Sequence, residues 1–120
     1  MSTINSIQSV EDFWTREFAY YLNEHRSSAN RATHMIGIPI LIVTAIVGLA
    51  IWNGWVIFLG QIVGWAFQLI GHRIEGNRPA LLKRPISFLM GPLMVLVEMI
   101  GFLGFEPAFA ARARQVVFGR

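Results

Sequence analysis

The sequence predicts an all-α fold: a small polytopic membrane helix bundle with an N-terminal amphipathic helix. Three observations carry this. The chain of 120 residues is 54% hydrophobic and only 14% charged, where soluble domains carry roughly 25% charged residues. No charged side chain occurs from Met35 to Gly71, a run of 37 residues, and one membrane span needs roughly 20. Residues 9–25 set apolar side chains at three- and four-residue spacing, the period of a helix with one buried face.

The length leaves room for one domain, residues 1–120. High hydrophobicity and low charge exclude intrinsic disorder. With no cysteine there is no disulfide framework, thiolate metal site or cysteine nucleophile. The net charge is +3, and nine of the ten basic residues are arginines. These flank apolar runs, so anionic lipid headgroups fit them better than nucleic acid does. The first 30 residues mix charges of both signs and lack an apolar core, unlike a secretory signal peptide.

In the first helix, Ser9 is the expected N-cap, with Glu11 and Asp12 in the first turn, where the helix dipole favours anions. Val10, Phe13, Trp14, Phe18, Tyr21 and Leu22 then form the apolar face, which His25 continues. The uncharged run reads as a helical hairpin that crosses over about 36–52, turns at Asn53-Gly54 and returns over about 55–71. Trp52 and Trp55 flank the turn, as tryptophans do at a membrane interface. A third apolar stretch runs from about Pro85 to Phe105, interrupted only by Glu98. The tail from Pro107 to Arg120 reads as a short surface helix.

Arg16, Arg26, Arg31, Arg73, Arg78, Lys83 and Arg84 all fall on the side where the hairpin begins and ends. By the positive-inside rule that side is cytoplasmic. The tail resists this rule. If 85–105 crosses fully, Arg112, Arg114 and Arg120 lie outside, whereas Gly101, Gly104 and Pro107 would also allow a re-entrant or broken helix.

The hairpin brings the chain's three histidines, His25, His34 and His72, to one side. Taken singly, each reads as an interfacial side chain satisfied by a backbone group or a headgroup. The second span favours more. Gln61, Gln68, His72 and Glu75 are spaced by seven, four and three residues, which at 3.6 residues per turn is one polar stripe. Polar groups in a membrane are costly and face a bundle interior, a cavity or a site. His72 and Glu75 form H-x-x-E; the reverse order, E-x-x-H, supplies ligands to metal centres in helical bundles. Together the residues suggest a metal site, and imidazole with carboxylate suits iron, zinc, manganese or copper. Glu98, ~18 Å into the third stretch at 1.5 Å per residue, is an intramembrane acid with a functional or a structural, Arg-paired role. Gly60 and Gly64 form G-x-x-x-G, which lets another helix approach closely.

Y-Y-L-N-E-H-R-S-S-A-N-R-A-T-H-M-I-G-I-P at 20–39 and W-A-F-Q-L-I-G-H-R-I-E-G-N-R-P-A-L at 65–81 resemble the Mpo1-like family. P-I-S-F-L-M-G-P-L-M-V-L-V-E at 85–98 fits the same pattern, and the resemblance covers about residues 10–105. It implies an Fe(II)-dependent dioxygenase acting on 2-hydroxy fatty acids in α-oxidation, giving the fatty acid one carbon shorter. It implies Fe(2+) on His25, His34 and His72, with Glu75 as a further candidate ligand. Asn30, Gln68, Glu75, Arg78 and Glu98 also match the pattern, as candidate catalytic residues. The implied partners are a long-chain 2-hydroxy fatty acid, O2 and the lipid membrane. No nucleic acid is implied, and a homo-oligomer is left open. The implied location is the bacterial inner membrane, or the endoplasmic reticulum in a eukaryote. The competing reading, from another class, is a non-enzymatic membrane protein whose polar stripe packs helices or binds lipid.

Overall fold

The computed structural model describes residues 2–79 and 82–120. It is all-helical, with no strand among the described residues: α1 (Thr3–Gln8), α2 (Phe13–Asn23), α3 (Ser28–Ala50), α4 (Gly54–Glu75), α5 (Ser87–Gly101) and α6 (Ala108–Phe118). These form two units, one of residues 27–79 and one of the chain before and after it.

Unit 27–79 is the hairpin of α3 and α4. Each helix is long and apolar enough to cross a membrane, at 23 and 22 residues. Both extend beyond the uncharged run at its outer ends, so His34 and His72 lie inside helices rather than beside them. The Ser27 hydroxyl caps α3 by accepting from Asn30 N–H. At the tip, Asn53 Oδ1 accepts from Trp55 N–H at 3.0 Å and Val56 N–H at 3.3 Å, so Asn53 is the N-cap of α4 and Gly54 its first residue. The turn therefore sits one or two residues earlier than the Asn-Gly pair suggests. Trp52 takes the left-handed conformation there (φ 51°) and is 93% exposed.

Glycines let α3 and α4 approach closely. A Cβ on Gly64 would meet Leu41 Cγ at 2.5 Å, and one on Gly60 would collide with the Thr44 side chain. The G-x-x-x-G pair thus serves packing inside this hairpin. Gly37 answers from α3: a Cβ there would lie 2.8 Å from the Gly64 carbonyl and 2.8 Å from Phe67 Cβ.

In the other unit the first helix differs from expectation. Asp12, not Ser9, is the N-cap of α2, because its carboxylate accepts from both Thr15 N–H (2.9 Å) and Thr15 Oγ1 (2.6 Å). Those two bonds hold the Asp12 carboxyl below its ordinary range. Ser9 instead ends the separate short helix α1. The apolar face of α2 is buried from Phe18 onward, at Phe18, Ala19, Tyr21 and Leu22, whereas Phe13 and Trp14, expected on the same face, are exposed. Glu17 is also buried, and Arg84 binds both of its oxygens while lying 4.0 Å from the Tyr20 ring centroid. The third apolar stretch is helical only over the 15 residues of α5. The tail helix α6 is more than a surface helix. Ala110, Ala113 and Val117 are buried, and Phe109 meets Phe18 edge-on with ring centroids 5.5 Å apart.

The close approach of α3 and α4 is testable. Gly37→Ala should destabilise the protein by ~1–3 kcal/mol through overpacking. Gly101→Ala, where a Cβ meets nothing within 4 Å, should not. Thermal unfolding in detergent, followed by circular dichroism, would check the pair.

Candidate metal centre

The centre is assembled from helix periodicity and helix ends. Asn30 and His34 are four residues apart on α3, hence on one face, as are Gln68 and His72 on α4. The hairpin sets the two faces against each other. The rings of His34 and His72 meet edge-on, with centroids 4.9 Å apart. His25 follows the end of α2, its ring stacked on Tyr21 at 3.9 Å. One ligating nitrogen from each of His25, His34 and His72 lies within 4.8 Å of the others. The three residues are at most 3% exposed.

Each ring is oriented through Nδ1. The oxygen partner is Tyr21 O for His25 (2.7 Å), Asn30 O for His34 (2.9 Å) and Asn77 Oδ1 for His72 (2.7 Å). A carbonyl oxygen only accepts, so each Nδ1 carries the proton and donates it. The lone pair of each ring is thereby on Nε2, the tautomer a metal ion needs. The three imidazoles could hold a metal ion.

The other sequence candidates divide. Glu75 is not in the cluster of ligating atoms. Its Oε1 accepts from Ser27 N–H (2.8 Å) and Asn30 Nδ2 (3.1 Å). It therefore ties the end of α4 to the start of α3 and orients Asn30, whose backbone carbonyl orients His34. Gln61 is bonded to the backbone of α3, donating to Leu41 O at 3.2 Å. Asn30 Oδ1 and Gln68 Nε2 are buried without a partner among the described residues. An unmet buried polar atom costs about 1–3 kcal/mol, and here one acceptor and one donor remain within a turn of the two histidines. Arg78 and Arg73 are exposed. With Leu69, Ile70, His72 and Asn77 they line an open groove of about 360 Å³. Glu98 lies half-buried on α5, in the other unit.

Asn77 escaped the sequence reading. It lies five residues after His72, beyond the spacing at which helical neighbours meet. It reaches back because Gly76 takes the left-handed conformation (φ 80°) and the Asn77 N–H closes on His72 O at 3.1 Å. A glycine just after a helical histidine, followed by Asn, was the available signal. The Tyr21 carbonyl gave none, since every residue has one.

A helical protein with three buried histidines that could hold a metal ion is thus the class that fold and site define. The chain belongs to the Mpo1-like family: the family model described as "2-hydroxy-palmitic acid dioxygenase Mpo1-like" matches residues 7–103. No curated protein and no solved structure matches it.

Asn77→Ala removes the oxygen that holds His72 Nδ1. Metal affinity should fall ~10–100-fold, as for other losses of a ligand's supporting hydrogen bond. Competition with a chromophoric chelator would measure it. An unchanged affinity would show that His72 needs no such support.

Proposed function

We propose that the chain is a membrane-embedded, Fe(II)-dependent dioxygenase that converts long-chain 2-hydroxy fatty acids into fatty acids one carbon shorter. One observation carries the reading: three buried histidines, each with Nδ1 bonded to a carbonyl oxygen, gather their ligating nitrogens within 4.8 Å. Family membership supports the substrate class, since the family's description names 2-hydroxy-palmitic acid.

His25, His34 and His72 would hold the metal, leaving coordination positions open. Iron held there would supply the one-electron chemistry that lets O2 react with a closed-shell acid. Glu75 acts through Asn30 and through the start of α3, as a positioning residue. Asn30 Oδ1, an unmet acceptor, suits the hydroxyl of the substrate. Gln68 Nε2, an unmet donor, suits one of its carboxylate oxygens. Arg78 or Arg73, at the mouth of the groove, would first attract that carboxylate and could grip it bidentately. Leu69 and Ile70 would receive the start of the acyl chain. Glu98 would serve as an acid on α5, a role that Glu98→Gln tests.

α3 and α4 would cross the bilayer. At 1.5 Å per residue a 22-residue helix is about 33 Å long, against a hydrocarbon core of ~30 Å. The histidine end carries Arg26, Arg31, Arg73 and Arg78, and the tip at 51–54 carries no charge, so the histidine end faces the cytoplasm. The membrane would be a bacterial inner membrane or the endoplasmic reticulum.

Anaerobically purified protein should carry iron, and each of His25→Ala, His34→Ala and His72→Ala should lose both iron and activity while remaining in the membrane. Glu75→Ala should retain part of its iron. Oxygen uptake with matched 2-hydroxy, 3-hydroxy and unsubstituted C16 acids tests the substrate: only the 2-hydroxy acid should be consumed rapidly, with a C15 acid as product. Equal turnover of the three would remove the 2-hydroxyl from recognition. Purified protein that binds zinc tightly and iron not at all would overturn the assignment of the metal.

A further inference from the structure

We infer that α5 and the turn after it lie in one leaflet of the bilayer without crossing it, so that the C-terminal helix returns to the side from which α3 starts. This rests on the reading of α3 and α4 as spans. α5 has 15 residues, about 22 Å of helix against the ~30 Å of a hydrocarbon core. Its sequence is nonetheless free of charge from Ser87 to Val97.

Length alone would leave a kinked crossing open; the packing of α6 closes it. Phe109 of α6 meets Phe18 of α2. The Arg26 guanidinium donates to Val117 O at 3.0 Å and lies 5.6 Å from the Phe118 ring centroid. α2 is joined to the first residue of α3 by only four residues, 24–27. Helix α6 therefore cannot be separated from the start of α3 by the thickness of a membrane. With two crossings in α3 and α4, the chain is already back on that side when α5 begins. Any full crossing by α5 would carry α6 away from α2.

The exposed face of α5 fits lipid chains. Met90, Met94 and Val95 are buried on one side, while Phe88, Leu89, Leu96, Met99, Phe102 and Leu103 are each more than half exposed, Leu103 to 85%. Glu98, half-buried, is the one charged side chain of α5. Beyond it, Glu106 and Arg114 pair at 2.9 Å and Arg112 is exposed, so charge resumes once the apolar stretch ends. The arrangement also removes the conflict with the positive-inside rule. Arg112, Arg114 and Arg120 share a side with Arg26 and Arg31.

The chain contains no cysteine, so single-cysteine variants report position directly. Gln8→Cys, Gly54→Cys, Leu103→Cys and Gln115→Cys would be placed in sealed vesicles and treated with a membrane-impermeant maleimide before and after lysis. Gln8→Cys and Gln115→Cys should label from the same side, Gly54→Cys from the opposite side, and Leu103→Cys only after detergent. A fluorophore on Leu103→Cys should be quenched more by a lipid-borne quencher near the headgroup than by one at the chain end. If Gln115→Cys labels with Gly54→Cys, α5 crosses and the inference is wrong. If Leu103→Cys labels in intact vesicles, or is shielded by crosslinking to a second copy without lipid quenching, the face does not meet lipid and the inference is equally wrong. If Gly54→Cys labels with Gln8→Cys, the spans themselves fail and the inference falls with them. That outcome is told apart because it alone moves the hairpin tip.

Discussion

The close approach of α3 and α4 is the constraint on which the polar centre depends. Two helices separated by ordinary side chains would hold His34 and His72 too far apart to share an ion. Gly71 is where this matters most. A Cβ there would collide with Thr33 Oγ1 and Asn30 Oδ1. Its absence lets the Asn30 amide reach across to Glu75 at 3.1 Å. That bond, with the Ser27 N–H bond to the same carboxylate oxygen, fixes the register of the hairpin at its open end. Gly60, Gly64 and Gly37 extend the same closeness toward the tip. Packing of small residues and the geometry of the centre are thus one feature seen at two heights along the hairpin.

Within that frame the centre is built in layers. The Tyr21 and Asn30 carbonyls are backbone atoms made available in or beside helices, and Asn77 is returned by a left-handed glycine. All three take the proton-bearing side of an imidazole. The hydrogen bonds to these oxygens orient the rings, so the histidines are aimed by geometry. Tyr21 adds a flat wall against His25, and burial pushes its phenol well above its ordinary range. It remains uncharged beside the imidazole.

Much of this was legible in the sequence, for physical reasons that differ by element. The two long helices announce themselves through an uncharged run too long for one span. The polar stripe Gln61, Gln68, His72 and Glu75 follows from the helical period alone, and the hairpin made His34 and His72 neighbours. The Asn53 turn was placed slightly late because Asn-Gly is read as a turn pair, whereas the Asn53 side chain caps the next helix. Ser9 lost the N-cap to Asp12 because both are good caps and only the tertiary fold decides where a helix begins. Glu75 was one candidate among ligands; its spacing to His72 puts both on one face but cannot tell a ligating carboxylate from one already engaged by Ser27 and Asn30. The tail looked like a surface helix because its arginines dominate the eye, while the residues that pack, Ala110, Ala113 and Val117, are small.

The two units answer the same composition in different ways. Helices α3 and α4 are each long and apolar enough to cross a membrane. Helices α2 and α6 each have a buried stripe and a polar side, with Arg84 and Glu17 engaged in a pair that keeps a buried carboxylate compensated. Removing either member would leave the other exposed to the full cost of desolvation, discounted where Arg84 reaches water. A chain this short cannot bury a large core of its own. The buried polar side chains of the hairpin, Asn30, His34, Gln68 and His72, lie toward its open end. There two imidazoles, a tethered carboxylate, an unmet acceptor and an unmet donor lie within a few turns of helix.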